Sequence, residues 1–360
     1  SVASRGLGDV YKRQEVPLVY DKPRISVIVP VYKTDFRLFR ECIRSIETQA
    51  DNLSVELIVV FDGQPEDKLI EIVEEVSSQI RCKVLICPER GVSATRNTGM
   101  DEATGTWISF VDADDCLPEN ALCTLVEYGE KNGCDIVMGC HVSLLGKMSE
   151  KHEYLQNNVV MRGQDVAKFR HDVLSPQTNA GLVWGKIYKK ELLETFQIRF
   201  NEKLAMAEDS DFVFRFVGYA HVLGFCHKDV YVYRRNANSA VRAFRSDYVT
   251  RIEASLEEMR EQIDGIPDKE TYDSAFQSYV AFHLLLILVN YIFNPKAPWT
   301  DKERHAEYMR ITQISLFATC LRDVPLGDFS VTRKISLLSL RFRLYRLSKL
   351  IGFIRQMQLQ

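Results

Sequence analysis

The sequence predicts an α/β fold, a mostly parallel sheet flanked by helices, followed by a helical C-terminal appendage. Three observations lead there. Short β-branched runs alternate with amphipathic helical segments, as in doubly wound sheets. Acids cluster directly after an apolar run at Trp107–Val111, where the C-terminal ends of parallel strands meet ligands. Beyond Phe244 the pattern turns wholly helical.

In chain order, Ile25–Val31 is a near-continuous β-branched run, the signature of a strand buried on both faces. Asp35 is placed to cap a helix whose Leu38, Phe39, Cys42, Ile43 and Ile46 recur at helical spacing. Val55–Phe61 is a second strand closed by Asp62-Gly63, Asp67–Ile80 a second helix, Lys83–Cys87 a third strand, and Gly91 opens a third helix. Trp107–Val111 follows as a strand. Pro118 suits the first turn of the next helix, which carries Leu122, Leu125 and Val126. Asp135–Cys140 is another strand; 147–164 is polar and aperiodic, a loop or hairpin beside the site; Phe212, Phe216 and Tyr219 mark a helix; Val230–Tyr233 is the last strand. Helices are expected near Asp247–Ile263, Tyr272–Phe293 and Thr300–Leu321. His283 and Asn290 interrupt the apolar stretch Ala281–Phe293, which falls short of the ~20 residues of a membrane span, so a buried core helix is the reading there.

At 46% hydrophobic and 26% charged, the 360 residues can build a substantial core, and a net charge of −3 excludes a general nucleic-acid binder. The nine cysteines contain no CxxC pair; they read as reduced core thiols in a cytoplasmic protein, with no zinc site. The run Asp9–Gln14 is what the transposase adaptor GATGTGTATAAGAGACAG encodes, so Ser1–Gln14 is read as foreign and set aside. Residues 15–243 then form the α/β domain and 244–360 the helical region.

The acids are Asp112, Asp114 and Asp115. A strand's period of two would put Asp112 and Asp114 on one side, and two hard oxygen ligands suit Mg²⁺ or Mn²⁺ carrying a diphosphate. A solvated acidic turn is the competing reading. The segment is no dinucleotide fingerprint or Walker loop, since neither GxGxxG nor GxxxxGK[ST] occurs in it.

SVIVPVYK at Ser26–Lys33, VVFDGQPED at Val59–Asp67, GVSATRN at Gly91–Asn97, FVDADD at Phe110–Asp115 and AEDSDF at Ala207–Phe212 together resemble the landmarks of family 2, inverting glycosyltransferases of the GT-A fold. The resemblance implies a Rossmann-like sheet, a nucleotide-sugar donor, most simply a UDP-sugar, Mn²⁺ or Mg²⁺, and a glycan or lipid-linked glycan acceptor. It implies that Asp112 and Asp114 are the metal and ribose acids, with Asp115 a further or substitute ligand. Pro30, Val31, Tyr32 and Asp62 would line the base pocket, although Phe61 and Gln64 depart from the family's surroundings of that acid. Arg96 and Asn97 would face the nucleotide. In Glu208-Asp209 one carboxylate would be the general base, Asp209 first and Glu208 second, with Asp211 close enough to compete. Trp184, Lys186, Tyr233 and Arg234 would lie on the acceptor side. A metal-dependent nucleotidyltransferase and a catalytically silent nucleotide- or glycan-binding protein are the rivals.

The last segment, Phe329–Gln360, carries seven Lys and Arg residues and no acid. Leu337, Leu340, Leu344, Leu347, Ile351 and Ile354 form a helical stripe that fits a helix lying on an anionic membrane, or one docking a partner. On the first reading the protein is peripheral to the inner face of the plasma membrane.

Overall fold

The computed structural model describes residues 22–76, 80–146, 148–235, 244–327 and 329–359. The run read as foreign, Ser1–Gln14, lies outside them, as do 77–79 at the end of the expected helix Asp67–Ile80.

Alternation holds. In order come β1 (Ile25–Val31), α1 (Phe36–Glu47), β2 (Val55–Asp62), α2 (Asp67–Val76), β3 (Arg81–Cys87), α3 (Val92–Glu102), β4 (Trp107–Phe110), α4 (Ala121–Asn132), β5 (Ile136–Leu145), β6 (Met148–His152), β7 (Val159–Arg162), α5 (Gln164–Val173), β8 (Lys186–Lys189), α6 (Lys190–Thr195), α7 (Glu208–Val217) and β9 (Val222–Arg234). They make one sheet ordered β3-β2-β1-β4-β8-β5-β9-β7, with β6 on β5. The first four strands run parallel, as do β5 and β9; β8 is antiparallel to both β4 and β5. The chain steps outward from β1 to β3 and returns to the far side of β1 as β4. That reversal opens a crevice beyond the ends of β1 and β4.

The β-branched side chains of β1 and β2 are buried on both faces of the sheet. Asp35 caps α1 as expected, accepting from the Arg37 and Leu38 amides at 2.9 and 3.3 Å. The buried carboxylate of Glu56 accepts from Ser26 Oγ (2.5 Å), Thr104 N (2.8 Å) and Thr104 Oγ1 (2.9 Å). It thereby ties β2 to β1 and to the turn that launches β4. Gly105 in that turn has no room for a side chain: a Cβ would meet the Ser26 amide at 2.5 Å.

Several expectations need correction. Pro118 precedes α4 instead of opening it, because the Gln49 amide donates to the Pro118 carbonyl and accepts from Leu122 N, shaping a separate turn there. The polar segment after β5 makes two strands that pair with β5 and β9, not with each other. β9 is far longer than Val230–Tyr233; a bulge opposite Gly139 and Cys140 and the polar pair His227-Lys228 hide its first half from periodicity. That bulge also brings ligand atoms of Cys140, Glu153 and His227 within 4.8 Å of one another, a grouping no CxxC spacing announces.

The region from 244 is helical throughout its described elements: α8 (Tyr248–Asp264), α9 (Asp273–Ile287) with a π turn to Ile292, α10 (Asp301–Ile311), α11 (Ser315–Asp323), α12 (Val331–Arg341) and α13 (Tyr345–Leu359). The apolar helix Lys269–Ile292 is mostly buried along its most apolar stretch and serves as the region's core. Thr300–Leu321 is two helices, since Ile314 is extended. The C-terminal stripe is likewise broken: Arg343 sits at φ 53°, and Ser339, Ser348 and Tyr308 share a buried hydrogen-bonded corner that turns α12 into α13. The Arg170 guanidinium lies over Phe214 of α7 and over Tyr272, and Ser255 donates to the Met206 carbonyl, so the helices brace α7.

Replacing Glu56 by alanine strands the buried Ser26 hydroxyl and two half-buried Thr104 donors and should cost roughly 2–4 kcal/mol. Urea denaturation measures it; an unchanged midpoint would show that the network contributes nothing.

Candidate active site

The chain leaves β4 at Phe110, and Asp112–Asp115 form a turn closed by Asp115 N donating to Asp112 O at 3.0 Å. A turn, not strand alternation, therefore sorts the acids. Asp112 and Asp114 are half-buried, while Asp115 is fully buried. Both Asp115 oxygens are taken, one by Tyr231 Oη at 2.8 Å and one by the Arg234 amide at 2.7 Å. Burial, then the Asp112 charge, pushes its carboxyl up to about 8. Asp115 thus anchors the end of β9 beneath the outward-facing acids. Tyr231 Oη also accepts from Asp112 N at 3.1 Å, and the Arg234 guanidinium reaches the Asp114 carbonyl at 3.2 Å and the Glu41 carboxylate.

At the centre lies Arg96, on α3 and almost wholly buried. Its Nη2 donates to Asp112 Oδ1 at 3.1 Å; its Nη1 donates to Asp209 Oδ1 at 2.6 Å and more distantly to Glu208 Oε1 at 3.5 Å. Beneath it the Phe200 ring lies 5.1 Å from the guanidinium carbon. Burial opposes its charge, but Asp209, Asp112 and Glu208 outweigh that and hold its pKa above the usual arginine value. Glu208 and Asp209 occupy the first turn of α7. Burial, then the Asp209 charge, pushes the Glu208 carboxyl up to about 7; burial also raises Asp209, against Arg96. Raised acids hold their protons longer in the fold than in the open chain. For Glu208 the resulting stability is full below about 4.5 and is lost as pH rises through about 7.

Asp209 Oδ2 faces the Val183 amide at 3.5 Å. Lys186, the first residue of β8, is buried, its Nζ donating to the Leu182 carbonyl at 2.5 Å. Burial pushes it down to about 7, with Asp209 pulling the other way. Trp184 stacks on Tyr231 at 4.3 Å and on Tyr233 at 5.5 Å, joining this turn to the tyrosine that holds Asp115.

The remaining predicted residues sit further out. Asp62 accepts from the Arg90 and Gly91 amides at 2.9 and 3.1 Å, shaping the turn into α3 at the end of β2. Pro30 and Val31 end β1, and Tyr32 is 56% exposed on the crevice rim. Asn97 brackets Phe200, accepting from its amide at 2.8 Å and donating to its carbonyl at 3.0 Å, and so positions the ring under Arg96. Asp211 turns away to Arg215. The sequence reading passed over Tyr231 and Phe200. Tyr231 shares a face of β9 with Tyr233, a period-two signal; nothing local marks Phe200.

The site thus sets acids at the switch point of a mostly parallel sheet and a second carboxylate pair across one guanidinium. Residues 26–195, a little under half of the chain, match the family profile described as Glycosyl transferase family 2, and that segment belongs to the family. Glu208 and Asp209 lie just past the match. The chain is 33% identical over 224 residues to the uncharacterized glycosyltransferase EpsJ of Bacillus subtilis, covering 60% of this chain and 62% of that protein, so the likeness spans about three fifths of EpsJ. It is 27% identical over 234 residues to the GalNAc(5)-diNAcBac-PP-undecaprenol beta-1,3-glucosyltransferase of Campylobacter jejuni, covering 63% and 67%. Among solved structures it resembles S. aureus TarS 1–349 in complex with UDP-GlcNAc, with a TM-score of 0.65 at 16% identity over 93% of this chain and 92% of that one. The last likeness establishes the mixed α/β fold with its helical C-terminal region.

With Arg96 replaced by methionine, Glu208 and Asp209 lose the guanidinium that bonds them both, and both carboxyls should titrate at higher pH than in the parent. Carbon-13 NMR of the labelled carboxyls reads this; unmoved titrations would show that Arg96 does not set the charge of the pair.

Proposed function

We propose that the protein transfers one sugar from a UDP-sugar to a growing bacterial cell-surface glycan by a metal-dependent, inverting displacement. The observation that carries this reading is the bridge at Arg96: one buried guanidinium joins Asp112, on the side of the turn acids, to Glu208-Asp209. Donor and acceptor chemistry need those two groups within one sugar's breadth of each other. The TarS complex with UDP-GlcNAc supports a UDP donor, and the Campylobacter relative's name supports a lipid-linked acceptor.

Each group then has a task. Asp112 and Asp114 are half-buried and would offer hard carboxylate oxygens, a donor set that fits Mn²⁺ or Mg²⁺; the buried Asp115 gives one oxygen to Tyr231 and one to the Arg234 amide. A divalent ion held there supplies counter-charge for the departing diphosphate. Pro30, Val31, Tyr32 and Asp62 line the base pocket at the ends of β1 and β2. Asp209 takes the proton of the acceptor hydroxyl as its oxygen bonds to the anomeric carbon; the carbon–phosphate-oxygen bond breaks and its electron pair leaves with UDP. A single displacement inverts the anomeric centre. Burial keeps Asp209 more basic than a surface aspartate, as the task requires. Trp184, Tyr233 and Arg234 face the acceptor side.

The helical region, in this reading, seats the protein on the inner face of the plasma membrane. On α13 the exposed Leu347, Leu350, Phe353, Ile354 and Met357 lie among the exposed Arg346 and Lys349, with Phe342 and Arg343 at the preceding corner. Apolar and basic side chains on one exposed helix fit an anionic lipid surface.

Asp209→Asn should keep donor binding and lose transfer by roughly 10²–10⁴-fold, whereas Asp114→Asn should lose Mn²⁺ binding and the metal response of turnover together. Calorimetry with UDP and Mn²⁺, beside a transfer assay on a lipid-linked glycan extract, separates the two. Normal transfer by Asp209→Asn would remove the assigned base, and full activity in chelator would remove the metal.

The double variant Leu350→Glu, Phe353→Glu changes exposed side chains only, so the fold should persist while binding to phosphatidylglycerol vesicles falls about tenfold or more. Equal co-sedimentation of variant and parent would leave α13 without a membrane role.

A further inference from the structure

A cavity of about 220 Å³ opens between β5, β6 and the turn that precedes β8. His141, Lys151, His152, Asn179, Trp184 and Lys186 are among its walls. The His141 and His152 rings stack at 4.6 Å, and the Trp184 indole meets His141 edge-on at 4.9 Å. The cavity is rich in donors that protein does not satisfy. Lys186 Nζ has one acceptor, the Leu182 carbonyl, for three N–H bonds. His152 Nε2 is buried without a hydrogen bond; its nearest acid, Glu150, is 3.6 Å away and engaged by Arg235 at 3.0 Å. The lining holds one carboxylate, Glu153, and that is drawn to His227; Lys151 has Asp229 at 3.4 Å.

The cavity disfavours charge on its side chains. Burial first, and then the neighbouring His152, Lys186 and Arg235, pushes His141 down to about 3; burial pushes Lys186 to about 7, with Asp209 as its opposing charge. Buried polar groups without partners are costly and call for a bound one, and an anion placed among these nitrogens would favour their protonated forms. A planar carboxylate has two oxygens to offer. A tetrahedral phosphate presents oxygens in several directions, matching an ammonium on one wall and two imidazoles on another.

We propose that this cavity binds a phosphate group of the acceptor, resting on the transfer reading above. Its place explains why. The turn Leu182–Lys186 gives Leu182, Trp184 and Lys186 to the cavity and the Val183 amide to Asp209. A phosphate held there sits one turn of chain from the base and fixes the neighbouring acceptor hydroxyl relative to it. Two sources share that chemistry: the phosphodiester of a polyol-phosphate chain and the diphosphate of a lipid-linked glycan.

The test uses the full chain, with histidine ring signals followed by NMR during titration with inorganic phosphate, a glycerophosphoglycerol diester and geranyl diphosphate. At least one should move the His141 and His152 titrations to higher pH, and His152→Gln should weaken its binding about tenfold. Lys186→Met should weaken it further; if that variant does not fold, His152→Gln decides alone. Tighter binding of the diester assigns the site to a polyol-phosphate chain, and tighter binding of the diphosphate to a lipid carrier. In a transfer assay His152→Gln should raise KM for a phosphorylated acceptor with kcat and donor hydrolysis unchanged. The inference is overturned if none of the three ligands moves the imidazoles, or if His152→Gln binds them as the parent does. UDP binding in the same samples keeps the readings apart: UDP bound with silent imidazoles overturns this inference alone, whereas responsive imidazoles without UDP binding overturn the donor assignment alone.

Discussion

One buried guanidinium holds the centre of this molecule. Arg96 comes from α3, Asp112 from the turn after β4, and Glu208 and Asp209 from the start of α7, three pieces far apart in the chain. A buried arginine left without these carboxylates would be costly, and three clustered carboxylates left without it would repel. Each side is therefore stable only with the other, so the two halves of the site are held at fixed separation. The rest of the fold supports this bracket: Asn97 sets Phe200 under the guanidinium, Tyr231 and Arg234 pin Asp115 below the acids, and Arg170 with Tyr272 braces the helix that carries Asp209.

Much of the first half was legible because its physics is local. Double-sided burial makes β1 and β2 read as continuous β-branched runs, and Asp35 caps α1 with its own side chain. Motif residues Asp112, Arg96, Glu208 and Asp209 could be named from their segments, and the fold brings them into one cluster. What could not be read were relations between segments. Asp115 looks in sequence like its neighbours, yet its burial is decided by Tyr231, 116 residues away. Asp211 stands two residues from Asp209 and faces the other way because Arg215 lies one helical turn on.

The C-terminal half shows the same limit from the other side. Leu337, Leu340, Leu347 and Ile354 share helical spacing, but the first two are buried and the last two exposed, because Arg343 in a left-handed conformation breaks the helix between them. Periodicity reports that a face is apolar; it is silent on whether protein or something else covers it. The histidine cavity was hidden for a related reason. His141 and His152 are adjacent only through the antiparallel pairing of β5 and β6, a register that the polar stretch between 147 and 164 does not announce.

Charge balance links the parts of the site. Around Arg96 stand Asp112, Glu208 and Asp209, so the cluster is short of positive charge even with Glu208 raised to about 7. A donor diphosphate adds further negative charge, and Coulomb repulsion in a partly buried site is several times stronger than in water. Arg96 cannot turn to the diphosphate without releasing the acids it holds, and Lys186 faces the cavity on the far side of the turn from it. A divalent ion at Asp112 and Asp114, as proposed above, would supply counter-charge for the donor beside the Arg234 guanidinium, which lies 3.2 Å from the Asp114 carbonyl. The His141 cavity is the converse: His141, Lys151, His152 and Lys186 line it beside one carboxylate, Glu153, with Trp184 among its walls. On the two proposals above, the acids around Arg96 would take a phosphate together with a metal and the His141 cavity would take one without, so charge would sort the two substrates.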